Sequence, residues 1–256
     1  MITFRHYATW GVLCYGVFLV VSMPAQWVVG LVSPYLTPIH LTGISGSIWS
    51  GGIQTIELGK LRVGPGQWRV RLTSLLRGRL GLDFSVGEER IGPYLQGRGG
   101  LIGGTALFLE GLTFQMAMVD VRNFVPMVPS ESKGRIQGRL EELVVNRSGV
   151  LALRGRGEVI GLFIGSPLNL EVGDFTGEAS TGDDRGVLLR LADRKGPWRL
   201  QATVRIQPDG QYRLRGVTSL GDPSNERLAG YLRMLGPLDS MGRVHLNESG
   251  RLPGFS

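Results

Sequence analysis

The sequence predicts a mainly β protein: a single N-terminal transmembrane helix, then a curved, largely antiparallel, Gly-rich β-sheet domain with one short C-terminal helix. Three observations predict it. No Asp, Glu, Lys or Arg occurs between His6 and Glu57, close to the N-terminus. Beyond that stretch, apolar and polar residues alternate with period two, the pattern of strands buried on one face. Glycine supplies 40 of the 256 residues, about twice its ordinary share of roughly 7%. Each glycine inside a helix costs about 1 kcal/mol, so this count argues against a mainly helical chain. The glycines have no period of three, which excludes collagen, and 42% hydrophobic residues exclude wholesale disorder.

The first element is the helix. Ala8 to Val32 is largely apolar, and a run of this length crosses a hydrocarbon core of about 30 Å at a rise of about 1.5 Å per residue. Trp10, Val12, Leu13, Tyr15, Phe18, Leu19, Val20 and Trp27 supply its apolar surface. Trp10 and Tyr15 lie near one end and Trp27 near the other, as an aromatic belt places them. Pro24 kinks or ends the helix. A cleaved signal peptide fits less well: a cut after Ala25 puts Met23 where a small residue is preferred, and the apolar run continues to Val32. A buried core helix is rarely this long and this near a terminus. Arg5 and His6 precede the helix and the next basic residue is Lys60. The positive-inside rule then makes residues 1–32 a cytoplasmic N-terminus and transmembrane anchor, and residues 33–256 an exported β-rich domain. In a bacterium these are the inner membrane and the periplasm.

Strands follow in order. Trp68, Val70 and Leu72 alternate with Arg69, Arg71 and Thr73. Leu80, Leu82, Phe84 and Val86 alternate with Arg79, Gly81, Asp83 and Ser85. Leu112, Phe114, Met116 and Met118 share one face, Thr113, Gln115, Ala117 and Val119 the other. Val187, Leu189 and Leu191 alternate with Leu188, Arg190 and Ala192. The clearest hairpin puts Trp198, Leu200, Ala202, Val204 and Ile206 on one face, turns at Pro208-Asp209-Gly210, and returns through Tyr212 and Leu214. A one-residue slip would press its arginines against the core, so its register is strongly specified. The glycine clusters at Gly51-Gly52, Gly64, Gly66, Gly78, Gly97, Gly99-Gly100 and Gly103-Gly104 read as turns, bulges and bends. The order of strands fits a meander, a sandwich or an open barrel-like sheet. Asn123 to Lys133, with Pro126 and Pro129, reads as a loop separating two sheet halves. Near the C-terminus, Leu228, Tyr231, Leu232 and Leu235 have helical spacing, Asp222 or Ser224 caps the helix, and Gly236-Pro237 stops it. A short strand from Arg243 to Leu246 ends the pattern.

The net charge is +7, from 28 basic and 21 acidic residues, and only Lys60, Lys133 and Lys195 are lysines. The arginines are scattered from Arg5 to Arg251 with no basic stripe, so nucleic acid is not an expected partner. Cys14 is the one cysteine, which leaves no intrachain disulfide and no cysteine-based metal site. Ser130 and Lys133 have Ser-x-x-Lys spacing, but the motifs that accompany it in hydrolases are absent and the surrounding loop reads as solvated. Gly59-Lys60 is followed by Leu61, and Gly97-x-Gly99 has Ile102 where a dinucleotide loop needs glycine. His6, His40 and His245 are far apart. The acidic pairs Glu88-Glu89, Glu141-Glu142 and Asp183-Asp184 are sequence neighbours, which point to opposite faces of a strand. The sequence therefore offers no catalytic, cofactor-binding or metal-binding residues, no cofactor and no small-molecule substrate.

One stretch carries a family resemblance. After the anchor (GVFLVVSMPAQWVVGL) comes the block Gly46-Ser47-Ile48-Trp49-Ser50-Gly51, and then Trp68 and Leu75-Leu76-Arg77-Gly78-Arg79-Leu80. Over residues 10–86 this resembles the type II secretion system protein N family. Beyond them the likeness is one of length, Gly-rich β-character and a Leu-rich terminal segment. The resemblance implies a bitopic inner-membrane protein with a periplasmic β-domain, accessory to the machine that exports folded proteins through an outer-membrane secretin. It implies as partners that secretin and the inner-membrane platform proteins, and it brings no catalytic motif. Gly46, Trp49, Gly51 and Trp68 are the candidate structural or partner-contact residues, the tryptophans as large apolar anchors. An alternative from the residues alone is a lipid-handling β-groove like that of AsmA-like envelope proteins, since an amphipathic sheet on a membrane anchor offers acyl chains a trough.

Overall fold

A computed structural model describes residues 3–27, 39–59, 61–88, 92–122, 128–129, 131–146, 149–166, 168–182, 185–222 and 224–251. Helix α1 runs Thr3–Val21. Six short strands follow: β1 (Ile39–Thr42), β2 (Ser45–Gly46), β3 (Ser50–Ile53), β4 (Thr55–Leu58), β5 (Leu61–Val63) and β6 (Gly66–Arg71). A 3₁₀ turn, Leu72–Arg77, leads into β7 (Arg79–Val86), β8 (Tyr94–Ile102) and β9 (Ala106–Ala117), and a one-turn helix α2 (Met118–Val121) closes that run. Then come β10 (Lys133–Asn146), β11 (Gly149–Ile164), β12 (Leu170–Thr181), β13 (Val187–Lys195), β14 (Trp198–Ile206), β15 (Gln211–Leu220), helix α3 (Glu226–Leu235) and β16 (Val244–Arg251).

The strands form a 13-stranded antiparallel sheet in the order β16-β15-β14-β13-β12-β11-β10-β9-β8-β7-β6-β3-β2, and a 3-stranded sheet, β1-β4-β5. From β6 to β16 the large sheet is a meander of sequence neighbours. Its end strands β2 and β16 stand at opposite edges, so it is open rather than a closed barrel. The expected division at residues 123–133 is corrected: β9 pairs directly with β10 from Ala117↔Arg135 to Leu107↔Val145. The backbone ladder continues across that segment, of which residues 123–127 and 130 lie outside the described residues. Register shifts in the β8–β9, β10–β11, β11–β12 and β12–β13 pairs are bulges, which bend a strand and increase its twist.

The register sorts the two faces. One row runs from Gly66 on β6 through Phe114, Gly138, Gly157 and Leu191 to Leu246 on β16, and every position in it is apolar or glycine. Two residues along, the row through Trp68, Phe84, Leu112, Leu140, Leu189 and Leu214 is apolar as well. The interior glycines are explained by these rows. Gly97 and Gly99 lie within β8 rather than at turns. A Cβ on Gly138 would meet the Phe114 ring at 2.7 Å, and one on Gly97 would meet Leu112 Cδ1 at 2.8 Å. Each glycine accepts a large side chain from the neighbouring strand, a cross-strand fit that a count of glycines does not reveal. Gly103-Gly104 does form a turn, with φ of +56° and +71°.

A compact protein of this mass exposes about 11,000 Å²; this chain exposes 17517 Å². An exposed α1 and a sheet that is one layer thick over most of its length both contribute to the excess. The main covered region is at the C-terminal end, where α3 packs Leu228 and Leu232 against Leu170, Trp198 and Val244. The Tyr231 hydroxyl donates to the Leu168 carbonyl at 3.0 Å. The cap of α3 is Asn225, whose Oδ1 accepts from the Leu228 amide at 3.2 Å, and this corrects the expectation of Asp222 or Ser224. Asp222 instead accepts from the Ser224 hydroxyl and amide, and the hydroxyl first of all lowers its pKa. The helix stops at Gly236, as expected. The turn before β16 is organised by Asp239, which accepts from the Arg243 and Met241 amides and from Arg243 Nε. The Arg243 amide is the main reason its carboxyl sits well below the usual carboxylate range.

Other expectations shift locally. The first strand of the alternating pattern ends at Arg71, and Leu72 and Thr73 enter the 3₁₀ turn. Met118 and Val119 leave β9 for α2, where Met118 is buried. The last strand is longer than Arg243 to Leu246. Helix α1 begins before Ala8 and ends at Val21, ahead of Pro24, because proline has no amide to continue a helix. Among the described residues no helix is long and apolar enough to cross a membrane; residues 28–32 of the expected span lie outside the described residues.

Candidate functional site

The residues singled out by sequence meet at one place, the joint between α1 and the sheet. Trp49 Nε1 donates to the Val20 carbonyl at 2.9 Å. That carbonyl is in the last turn of α1, where its i+4 neighbour Pro24 has no amide to offer; the Met23 amide reaches it at 3.5 Å, and the indole caps it from the sheet side. The Ile48 amide donates to the Met23 carbonyl at 3.1 Å. Pro24 forms an antiparallel bridge with Ser47, and Gln26 Nε2 donates to the Ile44 carbonyl at 3.0 Å. Ala25 is buried in this joint, 3% exposed. The chain leaving α1 is therefore tied to the 44–48 segment by one bridge and single hydrogen bonds, and it is helical again at residues 25–27.

The second tryptophan locks the same block from the sheet side. Trp68 Nε1 donates to the Ile48 carbonyl at 3.3 Å, and the Val70 amide donates to the Trp49 carbonyl at 2.6 Å. Trp68 faces Gly51 across the β3–β6 ladder. A Cβ on Gly51 would overlap the Ser45 carbonyl oxygen and lie 2.6 Å from Trp68 Cη2. Gly46 has φ +91°, and a Cβ there would sit 2.5 Å from the Ser50 carbonyl oxygen. Both glycines are thus demanded by space, and Gly46 by conformation also. Sequence reasoning found Gly46, Trp49, Gly51 and Trp68 but missed Ser47, whose hydroxyl accepts from the Trp49 and Ser50 amides at 3.3 Å each. The Ser47-Ile48-Trp49-Ser50 spacing, typical of a hydroxyl-capped turn, was the available signal.

On α1 the side chains of Trp10, Val12, Leu13, Tyr15, Phe18, Leu19 and Val20 are all exposed, and Trp27, beyond the helix end, is exposed also. Cys14 is exposed as well.

The polar face of the sheet changes character along its length. Near the joint, Arg69, Asp83, Arg98 and Glu110 stand side by side on successive strands with alternating sign. Arg71 and Arg98 both reach Asp83, at 2.5 and 3.4 Å, and Arg98 and Arg79 reach Glu110 at 3.4 and 3.6 Å. At the far end the row terminates in Arg205 facing Arg213, with Arg215 and Arg251 beside them. The scattered arginines of the sequence are gathered there by the ladder, a grouping that linear spacing concealed.

Chemistry sought elsewhere does not assemble. Ser130, Lys60, Glu89, Asp183 and Asp184 lie outside the described residues. Lys133 sits 6.0 Å from the Phe163 ring centroid, and Glu141 pairs with Arg156 at 3.5 Å. His245 contacts Asp239 at 3.0 Å, in the turn before β16. Among the described residues no group of three or more His, Cys, Asp or Glu is arranged to hold a metal ion.

The model of the family described as type II secretion system (T2SS), protein N, matches residues 37–247. This chain belongs to the type II secretion system protein N family. The Aeromonas hydrophila type II secretion system protein N is 25% identical to it over 239 residues, covering 92% of this chain and 93% of that protein. The Vibrio cholerae protein of the same name is 24% identical over 243 residues, covering 91% and 93%. The Pectobacterium carotovorum one is 25% identical over 243 residues, covering 94% of each. No solved structure matches the chain. Within this protein N family member, the block that carried the resemblance, Gly46 to Gly51, is the joint of helix to sheet. The candidate tryptophans act there as packing and capping groups.

Proposed function

We propose that this chain is an accessory inner-membrane component of the type II secretion machinery. Its N-terminus is cytoplasmic, α1 begins the anchor, and the sheet works in the periplasm through protein–protein contacts that support the export of folded proteins. The observation that carries this reading is the family match across residues 37–247. The anchor is supported by exposed Trp10, Val12, Tyr15 and Phe18, at 66, 73, 63 and 63%, since such a surface is more stable in lipid than in water. α1 itself, 19 residues, is not long and apolar enough to cross a membrane, so the proposed anchor draws on the apolar run of the sequence as far as Val32. The joint at Trp49 and Trp68 transmits that tether to the sheet. The proposed partners are the secretin and the inner-membrane platform proteins, and the proposed activity is contact rather than catalysis.

Deletion of the gene tests this. Exoproteins are expected to accumulate in the periplasm, and full-length protein supplied in trans is expected to restore their release and to co-purify with other secretion components. Normal secretion in the deletion strain, together with no co-purifying component, would sink the proposal.

A second reading, the AsmA-like lipid-handling groove, is favoured by the apolar face. One row of apolar and glycine positions crosses it from β6 to β16 and a second reaches Leu214 on β15, and Leu80, Leu101, Leu107 and Leu151 are exposed. Large contiguous apolar surfaces are rarely left in water. Full-length protein purified from membranes and extracted with organic solvent is then expected to yield acyl lipid in stoichiometric amount, with less from a Leu112→Glu variant. Lipid-free protein counts against this reading.

A further inference from the structure

The edge of the sheet farthest from α1 combines two unmatched features. The first is charge. Arg205 on β14 faces Arg213 on β15 directly, and Thr203 faces Arg215. Like charges placed opposite one another across a ladder are destabilising. Near the joint the same polar face alternates in sign from Arg69 to Glu110, with Arg71, Arg79 and Arg98 each held by Asp83 or Glu110, before Glu110 faces Glu142. Among the described residues Arg205, Arg213 and Arg215 make no ion pair. Arg251 on β16 lies next to them and donates from Nε to the Asp209 carbonyl at 3.2 Å. Two recesses of about 550 and 230 Å³ open between these side chains, one lined by Arg205, Arg213, Ser249 and Arg251, the other by Thr203, Arg205, Arg213 and Arg215.

The second feature is backbone. β16 is the last strand of the large sheet; beyond an isolated bridge between Val244 and Leu238, it pairs with β15 alone among the described residues. From Asn247 to Arg251 it is exposed. It contains no proline or lysine and shows no shift in its register with β15; of the devices that blunt an edge against pairing it carries one inward charge, Glu248 opposite Leu214 on the apolar face. Along it the two faces continue those of the sheet. Asn247, Ser249 and Arg251 lie on the arginine face; on the other face Leu246 ends the apolar row, flanked by Val244 opposite Thr218 and Glu248 opposite Leu214.

We propose that β16 is a docking edge for an extended acidic segment of a partner protein. The segment adds as a further strand, its carboxylates facing Arg205, Arg213, Arg215 and Arg251 and its alternate apolar side chains continuing the row that ends at Leu246. The pattern recognised is therefore acidic–apolar alternation, with main-chain hydrogen bonds providing attachment and the arginines providing selection. A protein segment is preferred to the lipid surface of the chain's own membrane because of position. Twelve steps of about 4.8 Å place β16 roughly 57 Å along the sheet from β2, and β2 adjoins the α1 joint. The inference rests on the secretion-complex reading for the kind of partner alone, and its test uses purified protein, so it fails or stands independently of the secretion phenotype.

The test is fluorescence anisotropy with full-length protein in detergent and a labelled peptide of alternating glutamate and valine. Binding is expected to be saturable and to weaken as salt rises. The triple variant Arg205→Gln, Arg213→Gln, Arg215→Gln is expected to bind roughly tenfold more weakly or worse. Its circular dichroism should be unchanged, because these side chains make no ion pair among the described residues. Replacement of the same three by lysine is expected to retain most of the binding. The same peptide N-methylated at alternate residues keeps its charges but cannot pair as a strand, and it is expected to lose at least about tenfold. Equal binding of the glutamine variant, or of the N-methylated peptide, overturns the proposal. So does absence of peptide binding with retention of phosphatidylglycerol vesicles or inorganic polyphosphate, which would make the patch a site for phosphate groups.

Discussion

Replacing Gly51 by valine is expected to undo the joint between α1 and the sheet. The new side chain has no space: its Cβ alone overlaps the Ser45 carbonyl oxygen and the edge of the Trp68 ring. Either Trp68 leaves its place, breaking its hydrogen bond to Ile48, or β2 separates from β3. Overpacking of this kind costs about 1–3 kcal/mol, and here the cost is local, because β2 is the last strand of the sheet and pairs with β3 through two residue pairs. Hydrogen exchange reads it directly. The Ile48 and Val70 amides, bonded to Met23 and Trp49, are expected to lose protection while amides of β10 and β11 keep theirs. Exoprotein release in a strain carrying the variant is expected to fall toward that of the deletion. Gly52→Ala is the control, since the nearest atom to its Cβ is an ordinary 3.5 Å away. Unaltered protection at Ile48 and Val70 in Gly51→Val would refute this account of the joint.

The largest effect on stability is expected at the other end. Leu232 is 3% exposed and sits at the centre of the cluster that docks α3 onto Trp198 and Val244. Truncating a buried leucine to alanine costs about 2–5 kcal/mol, the upper part of the range applying where neighbours do not collapse into the void. The single-layer architecture leaves little to compensate. Leu232→Ala is therefore expected to release α3, with faster trypsin cleavage at Arg233 and faster exchange throughout residues 226–235. Met234→Ala, whose side chain is 81% exposed, is expected to leave both unchanged. Proteolysis of Leu232→Ala at the wild-type rate would show that the cluster is not what holds the helix.

Both expectations concern residues that the sequence marks in different ways. Leu232 was legible by helical spacing, as was the stop at Gly236. The hairpin from Trp198 to Leu214 was legible because alternation and a Pro-Asp-Gly turn agree, and its register is the one observed. The long strands β10 to β12 were harder to see. Glycines at 138, 155, 157 and 177 interrupt their apolar rows, and each of these positions is occupied in space by, or opens toward, a neighbouring strand rather than by its own side chain. Gly51 was noticed as a member of a glycine pair, but the reason for it, the Trp68 ring lying against it, belongs to a strand pairing and not to its neighbours in sequence.

The cap of α3 illustrates the same limit at short range. Asp222, Ser224 and Asn225 are all competent caps. The choice of Asn225 depends on Asp222 being engaged with Ser224, and on where docking against Trp198 sets the first turn. The arginine patch illustrates it at long range. Arg205, Arg213, Arg215 and Arg251 span 47 residues of sequence and look dispersed, yet three adjacent strands set them side by side.

The class of the protein is written in local features of the chain: an apolar N-terminal helix, a glycine-rich antiparallel sheet, a short terminal helix, and membership of the protein N family. Periodicity, turn chemistry and the Gly46–Gly51 block suffice for these because they depend on residues within a few positions of one another. That the sheet stays open as a single layer of 13 strands depends on pairings distant in sequence. So does the placing of Trp49 as a cap of α1, of Trp68 in the space of Gly51, and of arginines with no ion pair among the described residues at the far edge. Each of these is fixed by strand register, which joins residues distant in sequence. Register is set by the summed fit of side chains across whole ladders, and no local stretch of the chain contains that sum.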